Sequence, residues 1–132
     1  MAAAARLVTF VDLDDDGADP SRMSCSARHE AVLTDGSRVL LLDDRGWAGS
    51  MGRGSGLDIW STTSVADVEL MARMVVGPDE PPAGRSHEAE AAGHWAALAG
   101  VLRHHGVAAD PRELSRLPHD VVLSDRLRAK LG

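Results

Sequence analysis

Cysteine and aromatic residues are scarce in this chain. It contains one cysteine (Cys25), one phenylalanine, three tryptophans and no tyrosine, and the aromatic fraction is 3%. A lone cysteine cannot form an intrachain disulfide and is typical of reducing compartments, which predicts a cytoplasmic location. With so few rings, the core has to be built mainly from Leu, Val, Met and Ala, which suit helix packing.

Basic residues are also in deficit. The sequence contains 14 basic and 20 acidic residues, so its net charge is −6, and Lys130 is the only lysine. An acidic surface repels phosphate backbones, so we expect no nucleic acid as a partner. Residues 1–11 are apolar but contain no basic leader, and the apolar run stops at Asp12, which is too short for a signal peptide or a membrane span. We therefore expect no membrane partner either. The abundance of Arg, Ala, Gly and Asp is typical of a GC-rich bacterial genome.

The remaining composition is that of an ordinary globular protein. The chain has 132 residues, of which 44% are hydrophobic and 26% charged, enough for one domain with its own core. Residues from about 5 to 61 have strand character, and residues from about 64 to 131 have helical periodicity. Strands followed by helices, without βαβ alternation, predict a single α+β domain over residues 1–132.

The strand-forming half is organised around a hairpin. Two apolar runs flank Asp35 and Gly36, a pair suited to a two-residue loop with positive φ. The candidate strands are residues 6–13, 24–34, 37–43 and, by its short alternation, 57–61. We therefore expect a three- to four-stranded antiparallel sheet.

Three to four helices are expected to pack on this sheet. Three are predicted from Ser64 to about Gly77, from Ser86 to about His105 and from Asp110 to Leu117, each beginning at a capping residue. Residues 120–131 are open to two interpretations. Val121–Leu123 suits a brief strand, whereas the leucine spacing favours a terminal helix capped near Ser124, which we prefer.

Two motifs that carry chemistry are incomplete. The turn Asp12–Gly17 begins like a calcium loop, but Pro20 and Met23 occupy the ninth and twelfth positions, so we predict a solvated turn. Cys25 and His29 provide a thiol and an imidazole on one strand face. Four residues span roughly 13 Å of extended chain, so the two side chains cannot pair directly.

Histidines on the long helix are the remaining metal candidates. His87, Glu90 and His94 lie along one side of it, but the two histidines are seven residues apart, or roughly 10 Å in rise. One ion could bind Glu90 with either histidine, and a complete site would need ligands from elsewhere. The simpler interpretation is that these side chains border the apolar stripe, so we predict no metal and no cofactor.

A glycine-rich loop is the candidate binding site. The chain should leave the sheet over Asp43–Trp47 and enter the loop Gly46–Gly56, which lacks the lysine of a phosphate-binding P-loop. Tryptophan and arginine are favoured at binding hot spots, so the predicted contact residues are Trp47, Arg53 and Trp60. The alternative is an inert insertion that Trp60 anchors in the core.

These observations favour a small acidic protein-binding or regulatory module without catalytic activity. Its partner would be another protein, and its negative charge would steer it toward a basic one. The alternative is a small-ligand-binding protein or enzyme with a pocket between sheet and helices, metal-dependent through the helix histidines. A third interpretation is a homodimer that associates through Met71 and Met74.

Overall fold

One sheet carries four helices in the computed structural model, which describes residues 2–51, 56 and 58–131. The strands are β1 (Ala4–Leu13), β2 (Arg22–Leu33), β3 (Arg38–Ser50) and β4 (His119–Leu123). The helices are α1 (Val65–Val75), α2 (His87–His104), α3 (Pro111–Leu114) and α4 (Asp125–Lys130). The predicted α+β class is confirmed.

The sheet is mixed rather than antiparallel throughout, so that part of the prediction was wrong. Its strand order is β3-β2-β1-β4, and β4 runs parallel to β1, with Leu7 opposite His119 and Val11 opposite Leu123. The reason lies in the connection. A long helical segment separates β4 from the first three strands, and such a crossover can return the chain parallel to an earlier strand.

The predicted hairpin is confirmed, with a different turn. β2 and β3 pair antiparallel up to Val32 opposite Arg38. The loop is longer than two residues, because Leu33 N donates to Ser37 O at 2.8 Å. Gly36 has a φ of 87°, whereas no described non-glycine residue has a positive φ. The turn therefore needs only one residue in the left-handed backbone conformation, which is Gly36. The side chain of Asp35 accepts a hydrogen bond from Ser37 N at 2.9 Å.

β3 continues through the segment that was expected to leave the sheet. Its pairing with β2 extends to Ser50, which lies opposite Arg22. Gly46 permits this continuation, because a Cβ added there would lie 2.5 Å from the carbonyl oxygen of Cys25. The expected fourth strand at residues 57–61 was wrong for its described part, since residues 59–61 form a turn.

The helices begin where their capping residues predicted. Ser64 and Asp67 form a reciprocal capping box at α1, and Ser86 caps α2. Asp110 caps α3, with proline at the first helical position. Residues 119–130 combine both interpretations of the tail, because β4 is followed by α4, which is capped by Ser124.

The core has two parts on the same face of the sheet. In the first, Leu7 and Ala31 pack with Leu98 and Leu102 of α2. In the second, Val11 of β1 packs with side chains of α1 and α4. Successive side chains of a strand point to opposite faces of the sheet. Leu40 and Val122 lie on the face opposite these two clusters and are exposed.

Candidate functional site

A groove runs between β3 and α1. We define this β3–α1 groove by residues that line it, which are Asp44, Arg45, Gly46, Trp47, Gly49, Asp67, Met71, Met74, Asp79 and Glu80. β3 is an edge strand, and its residues 43–50 are all exposed or half-buried. The groove therefore places a free strand edge beside a helix.

Large apolar side chains of α1 are exposed, and two of them, Met71 and Met74, line this groove. Leu70 is 61% exposed, Met71 39% and Met74 62%, whereas Val68 and Ala72 of the same helix are buried. Exposed apolar residues are common singly, but a group on one element marks a candidate contact surface. Methionine suits such a surface because its flexible, polarisable side chain adapts to different partners.

The groove is acidic. Asp44, Asp67, Asp79 and Glu80 line it, and Arg45 is the only basic residue among the described lining residues. The Arg45 guanidinium lies 2.8 Å from the Asp79 carboxylate and 3.6 Å from that of Asp44. Arg45 is thus shared between two carboxylates, and the groove keeps an excess of negative charge.

The predicted contact residues have different locations. Trp47 lies half-buried on β3 and packs against the second part of the core while lining the groove. Trp60 is only 2% exposed, which is the position expected of a loop anchor. Arg53 lies outside the described residues. Met71 and Met74, proposed above only for self-association, line the groove, and Met71 lines the same part of it as Trp47. Their exposure depends on how α1 packs on the sheet, which the sequence pattern did not show.

The helix histidines do not converge. His87 is exposed, and Glu90 pairs with Arg85 at 3.3 Å. The His94 ring packs edge-on against Trp95 at 5.0 Å, and burial lowers its pKa. Among the described residues, no three His, Cys, Asp or Glu side chains are arranged to hold a metal ion.

A buried polar cluster, not predicted above, separates the two parts of the core. Thr9 and His29 are 0% and 1% exposed, and the Thr9 hydroxyl lies 2.9 Å from His29 Nδ1 and 2.6 Å from His119 Nε2. One hydroxyl proton serves one nitrogen, so the other nitrogen must donate. Burial, with contributions from His119 and His94, lowers the pKa of His29 to about 4. The alternation of β2 had already placed His29 on the same face as Ala31 and Leu33.

The two incomplete motifs have structural roles. Burial raises the pKa of Cys25 to about 12, so the thiol stays protonated and unreactive. In the acidic turn, Arg126 and Ser124 bind the Asp12 carboxylate and lower its pKa to about 2. Lys130 Nζ donates to the Gly17 carbonyl at 3.0 Å. The turn therefore serves as a docking point for α4.

Neither family models, curated protein sequences nor solved structures yielded a match to this chain. Among the described residues, no helix is both long and apolar enough to cross a membrane. The candidate surface is therefore defined by the geometry of the β3–α1 groove.

Proposed function

We propose that this chain is a protein-binding module that contacts its partner through the β3–α1 groove. The observation that carries this proposal is the pair of exposed apolar side chains on α1, Met71 and Met74, that lines the groove beside the edge strand β3. Apolar anchors surrounded by charged groups are typical of interfaces in which a few residues supply most of the affinity.

Charge supports a basic partner. The net charge of −6 and the acidic lining of the groove act in the same direction. Such a field accelerates association with a positively charged surface, and added salt screens it. We therefore expect the association rate to fall as the salt concentration rises.

Binding is favoured over catalysis by the position of the reactive groups. Thr9, His29 and His119 form the buried hydrogen-bonded cluster, and none of them lines the β3–α1 groove. The groove itself offers carboxylates, a paired guanidinium and apolar side chains, which together recognise a surface.

Site-specific photocrosslinking in the native host tests the proposal. A photoreactive amino acid at Met74 should form a discrete adduct with a partner, whereas the same residue at Val122, an exposed apolar position on the opposite sheet face, should not. With the purified partner, Met74→Asp should weaken binding at least tenfold and Val122→Asp less than twofold. Equal effects of these two substitutions would contradict the proposal.

The predicted contact residues can be tested in the same assay. Trp47→Ala should weaken binding at least tenfold, because its ring lines the groove. Arg53→Ala tests the contact residue outside the described range. Circular dichroism checks that each variant is folded, since Trp47 also packs against the core.

A further inference from the structure

The free edge of β3 is a row of main-chain hydrogen-bonding groups. In an antiparallel sheet, every second residue of an edge strand directs its N–H and C=O away from the neighbouring strand. Within the described ranges, β2 is the only strand that pairs with β3. Residues 43–50 are accessible over their whole length, so their outward groups can pair with one more strand.

We propose that the partner binds as an extended segment that adds a strand to β3 along residues 43–50, and that apolar and basic side chains alternate in this segment. The inference rests on the proposed function and names the form and chemistry of the partner. In strand addition, main-chain hydrogen bonds supply affinity, and contacts of alternate side chains supply specificity.

The apolar half of the pattern follows from the face on which Trp47 lies. Trp47 is opposite Cys25, which points into the core and is 2% exposed. Alternate side chains of an added strand would lie on this same face, next to Trp47 and Met71. Apolar residues at these positions would cover side chains that are now exposed or half-buried.

The basic half of the pattern follows from charge. Asp43 and Asp44 lie at the start of the accessible stretch, and Asp79 and Glu80 lie beyond the end of α1. Lysine or arginine side chains on an added strand are long enough to reach these carboxylates. A second copy of this chain would bring a second acidic groove against the first, so like charges favour a basic partner over self-pairing.

Synthetic peptides test the inference on the full-length protein. The probe is an N-acetylated, C-amidated nonapeptide of alternating lysine and valine, and the matched control replaces each lysine with glutamate. Calorimetry should show at least tenfold tighter binding of the basic peptide. NMR of the ¹⁵N-labelled protein should show slowed amide exchange at alternate residues of the 43–50 stretch.

Backbone methylation tests the strand itself. In an extended peptide, the valine N–H groups point to one side and the lysine N–H groups to the other. Methylating one of these two sets should weaken binding at least tenfold, and methylating the other should have little effect. The sensitive set reports whether the added strand runs parallel or antiparallel to β3.

Failure of the inference differs from failure of the proposed function. Equal affinity for both peptides, or indifference to methylation of either set, would overturn strand addition even if Met74→Asp weakens binding of the native partner. An unaffected native complex in that variant would overturn the proposed function itself. A dimer of this chain held through residues 43–50 would identify a second copy as the occupant and would also overturn the inference.

Discussion

The two edge strands of the sheet, β4 and β3, differ in how many side-chain bonds attach them to the rest of the fold. Side-chain bonds fasten β4 to β1: Arg6 contacts Asp120 at 2.9 Å, and Thr9 contacts His119 at 2.6 Å. A third bond, from Arg126 of α4 to Asp12 at 2.8 Å, fastens α4 to the end of β1. Arg73 of α1 also donates to the His119 carbonyl. We call this the closed edge.

The open edge is the accessible stretch of β3, residues 43–50. It is longer than the whole of β4, which has five residues, and Trp47, Met71 and Met74 lie along it. Natural proteins usually protect strand edges against unwanted pairing. The contrast fits the proposed function, in which side-chain bonds hold the closed edge together and the open edge contacts the partner.

The largest effect is expected from removing the anchor of the closed edge. Leu127 of α4 is 0% exposed, so Leu127→Ala should lower the free energy of unfolding by about 2–5 kcal/mol. The matched control is Leu70→Ala on α1, where the leucine is 61% exposed and the loss should be below about 0.5 kcal/mol. Urea denaturation measures both, and similar losses would contradict the contrast.

The next largest effect is the loss of folding stability at acidic pH that results from protonation of His29. Its pKa is lowered from 6.5 to about 4 in the fold, so the unfolded chain binds the proton more readily. Its stabilising contribution is therefore complete above about pH 6.5 and is lost as the pH falls to about 4, a change of about 3 kcal/mol.

Unfolding measured across this pH range tests the contribution of His29. His29→Gln should reduce the dependence between pH 6.5 and 4, because glutamine does not titrate. The remaining dependence is expected from His94 and His119, whose pKa values burial also lowers. The control His104→Gln replaces an exposed histidine and should leave the dependence unchanged. A wild-type stability that stays level over this range would contradict the prediction.

A smaller effect is expected at the open edge from Gly46→Ala. The added Cβ would lie 2.5 Å from the Cys25 carbonyl oxygen, so β3 must shift, at a cost of about 1–3 kcal/mol. At Gly49, the nearest atom to an added Cβ is Ile59 Cδ1 at 3.9 Å, an ordinary contact, so Gly49→Ala should be nearly neutral. Thermal unfolding measures the stability of both variants. A loss in Gly46→Ala alone indicates that β3 packs closely against the backbone of β2 at Gly46, and equal stability of the two variants would indicate a loosely held segment.

The smallest effect concerns Asp12 at the closed edge. Arg126→Ala removes the main cause of its lowered pKa, which should rise from about 2 toward 3.8 in an NMR titration. The stability that Asp12 contributes is present above about pH 3.8 and is lost toward pH 2, below the range in which His29 titrates. An unchanged Asp12 pKa would show that the ion pair is absent in solution.

Local signals in the sequence predicted local structure well. The hairpin, the helix starts at Ser64, Ser86 and Asp110, and the α+β class depend on residues close together in the chain. The parallel pairing of β4 with β1 joins segments more than 100 residues apart, as the separation of 110 between Thr9 and His119 shows. No local pattern contains that information.

The site was harder to predict than the fold, for a related reason. Glycine at position 46 indicated a loop, but its physical role is to let β3 approach the Cys25 carbonyl. Met71 and Met74 fitted a core stripe as well as a contact surface, and only the packing of α1 distinguishes these. Trp47 was proposed from residue type alone; it lines the groove, and its contact with a partner stays a prediction.

The parallel pairing of β1 with β4 also affects how the chain is made. At ribosomal rates of about 5–20 residues per second, roughly 5 to 20 s separate the synthesis of β1 from that of β4. During that interval the β2–β3 hairpin can occupy one side of β1, while the other side lacks its partner. The sheet of the nascent chain thus has β1 and β3 as its edge strands, whereas the finished sheet has β4 and β3, so β1 is open to unwanted pairing until β4 is made.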